Sequence, residues 1–100
     1  MKISECLRQT ADRLERTGWT QQGWSEDPNK ATCVVLALAG KQSARHAHPA
    51  VKFLMNYLGL KRTDTEYYPM FRWNDDPQRT KDEVLTTLRE AAKAAEAEGK

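Results

Sequence analysis

Scarcity narrows the field before any motif does. No apolar run approaches the roughly 20 residues needed to cross a bilayer, and the opening Met1-Lys2-Ile3-Ser4-Glu5 lacks the apolar centre of a signal peptide. The sequence therefore reads as cytoplasmic, with no membrane partner. Surplus charge of one sign is also missing: 16 basic and 14 acidic residues leave a formal +2. The overall field then gives no strong pull toward nucleic acid or an anionic surface. Cysteine is limited to Cys6 and Cys33, both in apolar periodic segments, and two thiols in a reducing compartment are expected to stay reduced. Neither C-x-x-C nor H-x-x-x-H spacing occurs. His46-Ala47-His48 faces one side only on a strand, so Cys6, Cys33, His46, His48, Asp75 and Asp76 do not compose a metal site. No cofactor motif and no internal repeat is present.

What remains is an ordinary globular composition, 39% hydrophobic and 30% charged over 100 residues. That length supports a single helical domain, with an ordered core over about residues 3–96 and little stability to spare. Ile3, Leu7, Ala11 and Leu14 recur at helical spacing against a charged opposite face, giving a first helix over about Ser4 to Thr17. Gly18 ends it, and Trp19 follows as a clasp onto the last turn. Thr20 to Asn29 reads as a loop. Ala31 to Ala39 is almost wholly apolar and ends in Gly40, so it reads as a central helix with no second strand to pair with. Pro49 suits the first turn of a third helix with Ala50, Val51, Leu54, Tyr57 and Leu58 inward, ended by Gly59. Lys61 to Arg79 reads as a long connection whose Tyr67, Tyr68, Met70, Phe71 and Trp73 pack it over the bundle. A last helix runs from about Lys81 to Glu96 on a stripe of Val84, Leu85, Leu88, Ala91, Ala92 and Ala95.

The segment Arg72 to Val84 carries the strongest local signal. Thr80 and Glu83 form a capping box that starts the last helix. Pro77 pushes Asp76 toward extended conformations, and Asn74 and Asp75 favour side-chain-to-backbone turns, so the residues before the box are expected to be non-helical. With Gly18-Trp19-Thr20-Gln21 and Cys33-Val34-Val35-Leu36-Ala37-Leu38, this segment resembles an uncharacterised family of short actinobacterial and actinobacteriophage proteins. That family shows G-W-x-Q, C-x-x-x-A-L and W-N-D followed by R-T-x-x-E-V, and the likeness runs from about Leu7 to Ala92. The segment between Gly23 and Ala31 is shorter than in many relatives. The resemblance implies a fold and a phage or actinobacterial setting, and lends no activity.

Three chemistries compete with plainer readings of the same residues. Cys33 with His46 or His48 and an Asp from Asp75-Asp76 has the inventory of a thiol nucleophile, base and orienting carboxylate. A helix N-terminus would favour its thiolate. Its place in the most apolar segment instead favours a small buried hydrophobe. The Trp73-Asn74-Asp75-Asp76 turn could hold a cationic or hydroxylated ligand, but turn chemistry explains those residue types without one. Lys41, Arg45, His46, His48, Lys52, Lys61 and Arg62 gather around the third helix as a DNA reader would require. Pro49 at the mouth of the recognition helix and the length from Gly40 to His48 fit a helix-turn-helix badly.

The sequence thus points to an all-α bundle of about four helices with long packed loops, anchored by Trp19 and Trp73. Its expected role is that of a small non-enzymatic phage-type accessory protein binding a host or phage macromolecule. The competing readings are a DNA-binding accessory factor using the third helix and a cysteine-dependent hydrolase using Cys33. The expected partner surface is Lys52, Lys61, Arg62, Tyr67 and Tyr68, where basic side chains sit beside aromatics.

Overall fold

In the computed structural model, residues 2–21, 32–39, 48–60 and 68–100 are described. They form five helices: α1 (Ile3–Thr17), α2 (Val34–Ala39), α3 (Pro49–Tyr57), α4 (Tyr68–Asp75) and α5 (Lys81–Ala97). No strand occurs among the described residues. A parallel bridge joins Trp19 to Thr32, with Thr20 N donating to Thr32 O and Thr32 N to Gly18 O. The all-α bundle expected from periodicity is what forms.

The two long helices make the frame. Leu7, Ala11 and Leu14 of α1 and Val84, Leu88, Ala91, Ala92 and Ala95 of α5 are wholly buried. Each large aliphatic side chain so placed contributes about 1.5–3 kcal/mol. Cross-helix pairs set the direction: Ser4 N donates to Lys100 O, Arg8 pairs with Glu96 at 2.6 Å, and Arg89 reaches Asp12 and Glu15. Low numbers meet high ones, so α1 and α5 run antiparallel. The hydrogen bond from Arg89, then its charge, holds the Glu15 carboxyl below its usual range. These pairs lie on the surface and orient the helices more than they stabilise them.

Against this frame lie α2 and α3, through Val34 and Val35, and Val51, Leu54 and Met55, while α4 packs on α2 and adds Met70 to the same core. Gly18 ends α1 at φ 103°, a backbone region that favours glycine, with its N–H on Leu14 O. α3 and α5 both end in Schellman turns. Gly59 N donates to Asn56 O and Leu60 N to Met55 O, just as Gly99 N donates to Glu96 O and Lys100 N to Ala95 O.

Three expectations need correction. α4 occupies part of the segment expected to be a non-helical connection, and Asn74 and Asp75 are helical. Pro77 restricts only Asp76, so the helix ends one residue before it. Tyr57, expected on the inward stripe of α3, is 44% exposed, while Met55 is buried in its stead. The central helix is shorter at its start, beginning at Val34 because Thr32 is held in the bridge to Trp19.

The capping signal at α5 is half realised. Thr80 accepts from Glu83 N at 3.1 Å, whereas the Glu83 carboxylate takes Arg79 Nη1 at 2.9 Å. Thr80→Ala should therefore cost roughly 1 kcal/mol in urea denaturation, the loss of one N-cap. An unchanged midpoint would show that the cap adds nothing to stability.

Candidate functional site

The three sequence motifs meet at one side chain. Asn74 is wholly buried. Its Oδ1 accepts from Trp19 Nε1 at 2.6 Å and from Val34 N at 3.0 Å. Its Nδ2 donates to Thr20 O at 3.1 Å and to Asp75 Oδ1 at 3.0 Å. Trp19 N–H and Val34 N–H can only donate, which fixes the amide's orientation. All four hydrogen-bonding positions of the carboxamide are thus filled. Gln21 Nε2 reinforces the junction by donating to Asn74 O at 3.1 Å and to Asp76 O, so it caps the end of α4. The G-W-x-Q segment, the start of α2 and the W-N-D segment are fastened by this amide. Its saturation leaves no group to receive a ligand at Asn74, but the amide acts from within a helix and joins Trp19, Thr20 and Val34, in place of the local turn chemistry expected.

On the other side of the motif, the Arg79 guanidinium lies 4.1 Å from the Trp73 ring centroid. Its Nε donates to Trp73 O at 2.9 Å and its Nη1 to Glu83. This stack joins the end of α4 to the first turn of α5.

The candidate nucleophile is poorly placed. Cys33 is only 3% exposed and sits within the core cluster, where a substrate has no direct access. His48 Nδ1 accepts from Ala50 N at 3.1 Å and caps α3 ahead of Pro49. His46 lies outside the described residues. Among the described residues, no three His, Cys, Asp or Glu side chains group to hold a metal ion, and no helix is long and apolar enough to cross a membrane.

Of the expected partner surface, Lys52 is exposed on α3. Lys61, Arg62 and Tyr67 lie outside the described residues, as do Lys41 and Arg45. Of Tyr68 only the backbone is described, at the first residue of α4. The structure adds a feature that sequence reasoning missed. Asn56 and Tyr57 are exposed in the last turn of α3, and Phe53 is half-buried one turn before them. With Ala94, Glu98 and Lys100 they line a groove of about 230 Å³ between α3 and the end of α5. Its sequence signal was Phe53 and Tyr57 at i and i+4, which share one helix face.

Residues 1–94 match the model of DUF6197, a family of unknown function. No curated protein and no solved structure matches the chain.

Proposed function

The chain belongs to DUF6197, a family of unknown function, and we propose that it is a small non-enzymatic, phage-type accessory protein that binds a host or phage macromolecule in the cytoplasm. One observation carries this reading: α3 presents Tyr57 to solvent, along with exposed Lys52 and Asn56. A large aromatic costs free energy to leave in water, and tyrosine is enriched in protein interfaces and among their hot spots. The binding face is α3 with the connection that follows it, so Lys52 and Tyr57 join Lys61, Arg62, Tyr67 and Tyr68. Burial of Cys33 favours binding over thiol chemistry.

The test is capture of a partner by tagged protein from an actinobacterial host, with a nuclease-treated arm. Lys52→Glu, Lys61→Glu and Arg62→Glu combined with Tyr57→Ala and Tyr67→Ala should reduce capture by at least about tenfold while the helical circular dichroism spectrum is kept. A folded variant that captures the partner undiminished overturns the proposed face. Capture lost on nuclease treatment would instead favour the DNA-binding reading.

A further inference from the structure

The groove between α3 and α5 has the chemistry of a cation receptor. Phe53 and Tyr57 supply aromatic surface, Glu98 a carboxylate, and Asn56 a neutral polar edge. Both bordering helices end here: α3 closes at Tyr57 and α5 at Ala97. Each therefore turns the negative end of its dipole toward the groove. Neither helix has a basic residue in its last turn to offset that field. One cation is already present. Lys100 Nζ lies 5.6 Å from the Phe53 ring centroid and 3.2 Å from Glu98 Oε1.

We infer that this groove receives a lysine or arginine side chain of a protein partner, and that Lys100 is its internal stand-in. This rests on the binding role of the α3 face and names the chemistry that one part of that face would read. Lys100 and Glu98 are both about half exposed, so their pair is weak and an incoming basic side chain can displace it. Aromatic face, carboxylate and two helix ends favour positive charge together, whereas an apolar side chain would use the rings alone. A partner that puts a base here and acidic groups against Lys52 docks in one orientation, because the reverse opposes like charges.

The probe is acetyl-Ala-Lys-Ala-amide, titrated into wild-type protein and into Lys100→Ala while the Phe53 and Tyr57 ring signals are followed by NMR. Lys100→Ala should bind it roughly fivefold more tightly than wild type, the factor of one exposed cation–π contact. Glu98→Gln and Tyr57→Leu, both exposed positions that should fold, should each weaken binding by a similar factor. The norleucine counterpart binding as well as the lysine peptide overturns the inference, because the groove would then be merely apolar. Tetramethylammonium binding as well as the peptide also overturns it, by making a free small cation the ligand. Absence of peptide binding to Lys100→Ala sinks the subsite even where partner capture persists, so the two proposals fail separately.

Discussion

Asn74→Ala should remove about 4 kcal/mol or more of stability, most of the total at the lower end of the 5–15 kcal/mol typical of a domain. The substitution deletes few atoms. Its cost comes from what it strands: the Trp19 indole N–H, the Val34 N–H and the Thr20 carbonyl all lose their partner. Each buried group left unpaired costs about 1–3 kcal/mol. The loss also releases the start of α2 and the bridge segment together, because both are tied to α4 through this amide. Urea denaturation followed by circular dichroism is the measurement. Trp19→Phe gives an internal check, since it removes a single donor and should cost roughly 1 kcal/mol in the wild type. In the Asn74→Ala background the same change should cost less, as residues sharing one network are not additive. Equal costs in the two backgrounds would show that the indole and the amide are not coupled.

This junction explains why motifs far apart in sequence accompany one another in the chain. Trp19 and Asn74 are separated by 55 positions, and Val34 lies 40 positions from Asn74. The carboxamide offers a double acceptor and a double donor within one short side chain, and the junction uses both. No other residue type of that length does so: aspartate lacks the donors and leucine lacks everything polar. The residues most conspicuous in the sequence are thus occupied with architecture. Exposed side chains lie elsewhere, among them Lys52, Asn56 and Tyr57 on α3.

How much was legible follows from range. α1, α3 and α5 carry their evidence locally, in stripes such as Leu7–Ala11–Leu14 and Val84–Leu88–Ala91, and in Thr80, Pro49, Gly18 and Gly59 at their ends. α4 is hidden from a local reading because Asn74 and Asp75 have strong turn preferences when only neighbours are considered. The competing signal was present: Pro69 suits a first helical turn, and Met70 and Asn74, both buried, stand at i and i+4. Nothing local says that the Asn74 side chain meets Trp19 and Val34 instead of its own backbone. Tyr57 failed for a related reason. Helical spacing defines a face, but how far that face is covered depends on where α5 passes, which is a long-range fact. The groove shares this origin, since Phe53 and Tyr57 come from one helix while Ala94, Glu98 and Lys100 come from the other end of the chain.

Trp73→Ala should cost on the order of 3 kcal/mol, the lower end for a large aromatic because the ring is partly buried. Two contributions add. The ring packs against the core cluster, and truncation leaves a void beside it. The other face supports Arg79, whose side chain is only 16% exposed and whose guanidinium lies 4.1 Å from the ring centroid. Removing the ring leaves that cation held by the Trp73 carbonyl and by Glu83, with one side opened to water. The stack itself contributes about 0.5–2 kcal/mol, so Trp73→Phe, which keeps a smaller ring in place, should recover more than half of the loss. Arg79→Met separates the two terms by retaining much of the aliphatic cover while deleting the charge and its hydrogen bonds. If Trp73→Ala costs as much in the Arg79→Met protein as in the wild type, the stack contributes nothing and the ring acts through the core alone. If its cost falls by about 1 kcal/mol, the tryptophan is a coupling element that carries the end of α4 into the first turn of α5.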